Sequence, residues 1–151
     1  MSLNEIPEVV EWSPVHYLYV EKIGPFQQTA QQAWTEFHAL VPTLGQQHRV
    51  CGYTSLYCMN PSTYRAGVLV EEAPAEVPAG LEYQHFAGGR FLRFVLQGSY
   101  AQLPQASGRA WEIAHSGGRE VREGFAIENY CNDPRVTPEA ELLTEILIPI
   151  V

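Results

Sequence analysis

The chain has 151 residues, enough for a sizeable core, and its 46% hydrophobic against 17% charged residues exclude a disordered chain. A net charge of −8 with no run of Lys or Arg sets it against direct nucleic-acid binding, because phosphate backbones repel an acidic surface. The cysteines at 51, 58 and 131 form no C-x-x-C, which indicates neither a disulfide framework nor a zinc site.

The N-terminus, MSLNEIPEVVEW, carries acids and a proline where a signal peptide needs an apolar run, and no stretch reaches the length of a membrane span, so a cytoplasmic location is expected. Residues 15–20 are rich in β-branched and aromatic side chains and predict a strand, which Gly24-Pro25 punctuates. Phe26, Ala30, Ala33, Trp34, Phe37, Leu40 and Val41 recur at steps of three and four, which predicts one face of a helix ended by Pro42 and Gly45. Residues 52–59 read as a strand, Asn60-Pro61 as a turn and residues 66–70 as another strand. EEAPAEVPAG, residues 71–80, has no apolar period and reads as a linker or crossing loop.

The same grammar then returns. Gly88-Gly89 makes a turn and residues 91–96 a strand; Leu103, Ala106, Ala110, Trp111 and Ala114 share one helix face, which Gly117-Gly118 breaks. Residues 125–130 predict a strand, Asp133-Pro134 a turn and residues 145–150 a last strand, with Pro149 marking an edge position or a strand end. Gly24 and Gly98 stand 74 apart, as do Phe26 and Tyr100, while Tyr57 and Tyr130, Cys58 and Cys131, and Pro61 and Pro134 stand 73 apart. After the turn the second half carries an insertion, Arg135 to Glu141. The fold expected is α+β in one domain, residues 1–151, with repeat one at about 12–72, a linker at 71–80 and repeat two at about 81–151. Each repeat is strand–helix–strand–strand. One repeat has too little core to stand alone, so the two are expected to pack as pseudo-symmetric antiparallel sheets with a ligand cleft between them.

The second half also carries motifs of a known family. Gly88 to Phe91, Gly98 to Tyr100, Glu128 to Pro134, Thr137 to Leu142 and Ile148-Pro149 follow one another in the order of the GyrI-like small-molecule-binding domain, the effector-binding domain of AraC- and MerR-type multidrug regulators. The first half, with Ile23-Gly24-Pro25-Phe26 and its helix, is similar to that family's first repeat, so the resemblance spans about residues 12–151. It implies a duplicated SHS2-like module that binds cationic, lipophilic aromatic compounds and needs no cofactor. No helix-turn-helix precedes the domain, which suggests a stand-alone sensor or sequestering protein. Ser107 stands where many members place a Trp, with Trp111 one turn later.

Strand alternation puts Ala126, Glu128 and Tyr130 on one face and Phe125, Ile127 and Asn129 on the other. With Phe125 and Ile127 assigned to the helix side, Glu128 and Tyr130 would look into the cleft. The offset of 73 makes Tyr53, Ser55 and Tyr57 the matching face of the first repeat, with Ser55 in the place of Glu128. The expected ligand-binding set is Glu128, Tyr130, Tyr57, Tyr53, Ser55, Trp111 and Tyr17: one carboxylate to meet a cation, and rings to stack on it.

Catalysis has thin support. The histidines at 16, 38, 48, 85 and 115 show no metal-ligand spacing, no nucleophile has a suggested base, and Gly88-Gly89 opens a strand and not a helix. Some relatives hydrolyse DNA-alkylating cyclopropane compounds, for which Glu128 with Tyr130 or Tyr57 would supply a general base and a donor. The name-giving relative acts on DNA gyrase, which adds a gyrase-like or regulator protein as an alternative partner.

Overall fold

The computed structural model describes residues 1–44 and 48–151; Gly45, expected to help end the first helix, lies outside them. In chain order the strands are β1 (Ser2–Leu3), β2 (Glu8–Trp12), β3 (Val15–Ile23), β4 (Val50–Cys58), β5 (Thr63–Val70), β6 (Glu82–Phe86), β7 (Gly89–Gln97), β8 (Ala126–Tyr130) and β9 (Leu143–Pro149), and the helices are α1 (Phe26–Leu40) and α2 (Leu103–Ser116). The chain divides into two units, one of Ser13–Gly88 and one of Met1–Trp12 with Gly89–Val151. Residues 71–80 hold neither helix nor strand.

In the unit Ser13–Gly88, β5 pairs with both β4 and β3, and β6 pairs along the other side of β3, all antiparallel. In the other unit β9 pairs with both β8 and β7, and β1 and β2 pair along the other side of β7. Each unit therefore orders the three strands of its repeat second–third–first, and each hides the outer edge of its first strand under residues drawn from outside the repeat. An uncovered edge would leave a row of unpaired N–H and C=O groups. Neither β6 nor the β1–β2 run is marked as a strand by sequence pattern alone; both are short, largely polar, and defined by the strand they lie against. The contact boundary falls at Gly88 and Gly89, not at 71–80, because β6 pairs with β3.

The helices follow their apolar spacing. α1 buries Thr29, Ala33 and Phe37, and α2 buries Leu103, Ala106, Ala110 and Ala114. α1 ends at Leu40, just before Pro42, as expected, and a 3-10 turn, Val41–Leu44, carries the chain on and buries Leu44. Pro149 is the last residue of β9, a strand with partners on both sides, so it marks a strand end and not an edge.

The repeat holds atom by atom, with length changes at identifiable places. Gly24 and Gly98 have φ of 139° and 126°, a region that favours glycine, and their amides donate to Ser62 O at 2.9 Å and Leu142 O at 2.8 Å. The Phe26–Tyr57 rings meet edge-on at 5.5 Å, and so do Tyr100–Tyr130 at 5.4 Å. A 3-10 turn of three residues, Tyr100–Gln102, then precedes α2 and has no counterpart before α1. The helix offset accordingly becomes 77: Trp34 stacks near His38 at 5.6 Å and 32°, and Trp111 near His115 at 5.6 Å and 30°. By the next strand it is 73, and beyond the seven-residue insertion, 135–141, it is 80, pairing Tyr64 with Thr144 and Ala66 with Ile146.

Two glycines set opposite expectations. A Cβ at Gly67 in β5 would lie 2.1 Å from Leu18 O on the adjacent β3, so Gly67→Ala should cost roughly 3 kcal/mol of stability. Gly108 is exposed in α2 and a Cβ there meets nothing within 4 Å, so Gly108→Ala should add about 0.5–1 kcal/mol. Urea unfolding of both variants checks the pair.

Candidate functional site

β8 runs beside β9 with Ile127 opposite Leu147, Glu128 opposite Ile146, Asn129 opposite Glu145 and Tyr130 opposite Thr144. β9 in turn sets Ile146 opposite Phe94 and Thr144 opposite Leu96 on β7. Glu128 and Tyr130 thus share a sheet face with Phe94, Leu96, Ile146 and Ile148. These four belong to a core cluster that includes Leu103, Ala106, Ala110 and Ala114 of α2. This face lies under the helix.

That corrects the expected orientation. Glu128 and Tyr130 point to the α2 side, and Ile127 and Asn129 to the other. Alternation tells which residues share a face but not which face a helix covers, and β8 has apolar residues on both: Ala126 and Ile127 are each buried. The proof of direction is a hydrogen bond from the helix, in which Ser107 Oγ donates to Glu128 Oε2 at 3.3 Å. Tyr130 OH donates to the other oxygen, Oε1, at 3.1 Å.

The surroundings of this carboxylate are unusual for a charge. Its neighbours across the sheet are Ile146 and Phe94, both fully buried. Burial raises its pKa above the usual carboxylate value, while the hydrogen bonds from Tyr130 and Ser107 pull the other way and do not overcome it. A carboxylate can accept about four hydrogen bonds, and here it has two neutral donors. Among the described residues no Lys, Arg or His forms an ion pair with it. Glu145, one register step away on the opposite face, shows the contrast: it is neutralised by Arg93 and accepts from Asn129 Nδ2 at 2.7 Å.

Rings border the same region. Tyr100, Trp111 and Tyr130 are half-buried and pack on the core cluster, and Trp111 lies one turn beyond Ser107 on the same side of α2. Tyr100 and Ser107 were outside the expected site. The 74-residue match to Phe26 points to Tyr100, while nothing in the pattern singles out Ser107 as a donor to Glu128.

The expected residues of the first repeat belong to the unit Ser13–Gly88. Tyr53, Ser55 and Tyr57 lie on the α1 side of β4, where Tyr53 packs on Trp34 and Phe37, and Tyr57 on Phe26. Ser55 Oγ and Tyr64 OH are 2.6 Å apart, and Trp34 Nε1 donates to the same Tyr64 oxygen at 2.9 Å. Tyr17 is on the opposite face of that sheet. It is fully buried, stacked on Tyr19 at 5.1 Å, and its hydroxyl donates to Thr54 O at 2.7 Å, a structural role. Among the described residues no three of His, Cys, Asp or Glu gather as a metal site, and no helix is long and apolar enough to cross a membrane.

A duplicated α+β module with a helix-covered, unneutralised carboxylate among rings is the frame of a small-molecule-binding domain. The chain belongs to the family described as the GyrI-like small molecule binding domain, which it matches over residues 6–151. Among curated proteins none matches it. Of solved structures, the C-terminal domain of EcmrR is similar at 15% identity and a TM-score of 0.77, covering 100% of this chain and 99% of that one. SAV2435 bound to tetraphenylphosphonium is similar at 15% identity and 0.73, covering 96% and 93%. A hydrolase from Listeria innocua is similar at 14% identity and 0.62, covering 96% and 91%. At these identities the likeness is one of fold.

A raised carboxyl pKa means that folding favours the protonated form of Glu128 over the ionised form, relative to the unfolded chain. The stability this gives is full below the ordinary Glu value and is lost as pH rises through the raised one. Glu128→Gln should therefore melt above the parent at pH 8 and approach it at pH 4; thermal scans across that range read the closing gap.

Proposed function

We propose that this protein binds lipophilic cations with aromatic bodies at the α2 face of β8, as a sensor or sequestering protein, with Glu128 as the counter-charge. The observation that carries this is a desolvated carboxylate with two neutral donors and no cationic partner among the described residues. A bound cation supplies the missing charge, and at a half-buried carboxylate that attraction is stronger than at an open surface. Tyr100, Tyr130 and Trp111 add ring faces, each worth roughly 0.5–2 kcal/mol to a cation laid against it. The tetraphenylphosphonium held by SAV2435, a protein of the same fold, is a ligand of this chemistry.

Titration with a fluorescent lipophilic cation tests the reading. Glu128→Gln should weaken binding at least tenfold at pH 8 and leave an uncharged analogue of the same rings unaffected; equal affinity in both proteins removes Glu128 from the account. Because a cation selects the ionised carboxylate, affinity should rise with pH through the raised pKa and level off above it.

The Glu128–Tyr130 hydrogen bond of 3.1 Å also supports a second reading as a hydrolase, with Glu128 as base toward water and Tyr130 as donor. Recovery of an intact cyclopropane-bearing alkylator after prolonged incubation rules that reading out for this substrate class.

A further inference from the structure

The two repeats fill the same position differently. In the unit Ser13–Gly88 the register partner of Tyr57 is Tyr64, whose hydroxyl meets Ser55 Oγ at 2.6 Å and Trp34 Nε1 at 2.9 Å. In the other unit the register partner of Tyr130 is Thr144. There Glu128 replaces Ser55, Trp111 replaces Trp34, and a threonine replaces the tyrosine whose phenol ties the first group together. Thr144 is fully buried, and its Oγ1 has no hydrogen-bond partner among the described residues. It stands on the same α2-facing side as Glu128, two residues along β9 from Ile146, the residue opposite Glu128. Buried hydroxyls are nearly always bonded, so this one marks a place where the protein alone is incomplete.

We propose that the ligand is an N–H cation, an aromatic primary or secondary amine in its protonated form, that donates one hydrogen bond to the Glu128 carboxylate and a second to Thr144 Oγ1. This rests on the cation-binding reading and narrows it. A protonated amine of this kind has at least two N–H donors, and the site offers two acceptors on one face, one charged and one neutral. A quaternary ammonium or phosphonium satisfies the charge and leaves the Thr144 hydroxyl as it was. Thr144 is thus a specificity-determining residue that separates amines from fully substituted cations.

The experiment compares a naphthylalkyl primary amine with its N,N,N-trimethyl ammonium salt by calorimetry at pH 7.5, in the full chain and in Thr144→Val, Thr144→Ser and Glu128→Gln. Using the ratio of the two affinities cancels the different hydration of the two cations. In Thr144→Val the ratio of amine to quaternary affinity should fall at least about tenfold, the worth of one hydrogen bond from a charged donor, with the quaternary cation bound as before. Thr144→Ser should keep the parental ratio. Thr144→Val should also melt no lower than the parent, since it removes an unbonded hydroxyl without opening a cavity. An unchanged ratio in Thr144→Val, with both cations still lost in Glu128→Gln, overturns the amine proposal and leaves the cation site standing. A lower melting temperature in Thr144→Val, showing that the hydroxyl already serves the fold, overturns it too. If neither cation binds the parent chain, the cation site fails and the amine proposal with it.

Discussion

Everything in the α2-bearing unit is arranged around a conflict between a carboxylate and the apolar surface it stands on. A sheet face covered by a helix is normally surrendered to side chains such as Phe94, Ile146 and Ile148, which bury cleanly and make the core. Glu128 occupies that face with two neutral hydrogen bonds and a pKa raised by burial. Ionising such a group costs free energy unless something positive comes to it, and among the described residues no Lys, Arg or His pairs with it. The neighbouring Glu145 shows that the same strands can settle a carboxylate fully when an arginine is supplied.

Duplication explains how such a conflict is tolerated. The first repeat uses the equivalent positions for a closed group of Ser55, Tyr64 and Trp34, backed by Phe26, Phe37, Tyr53 and Tyr57. Its hydroxyls and indole bond one another and its rings pack edge to face. The second repeat keeps the frame of glycine turn, edge-on ring pair and Trp–His helix pair, and changes the residues that would have closed the group. One copy of the module thereby carries a hydrogen-bonded polar group and the other a carboxylate whose pKa is raised by burial.

Much of the fold was legible in the sequence because period and punctuation carry it. Both helices, the four-element repeat, the glycine turns and the loop at 71–80 follow from apolar spacing and from Gly and Pro. The edge strands β1, β2 and β6 were not legible, since pairing and not pattern defines them. Within the site, Glu128, Tyr130 and Trp111 were named from the sequence and do lie on the α2 side of one unit. The direction of Glu128 was reversed, because a five-residue strand with buried side chains on both faces does not declare which one its helix covers. Ser107 was marked only as a departure from the family pattern, and Thr144 carried no sequence signal. One matters for the hydrogen bond it donates and the other for a hydrogen bond it lacks, and both depend on three-dimensional register.

The run of β1 and β2 against β7 has a consequence for the order in which this chain can take shape. Trp12 pairs with Gly89 and Ser2 with Gln97, so residues 2–12 must wait for residues made some eighty or more positions later. At ordinary rates of translation that interval is on the order of ten seconds. Every strand partner within Ser13–Gly88 is by then already present, so that unit can close first, and residues 2–12 stay unpaired on the ribosome until β7 emerges to receive them.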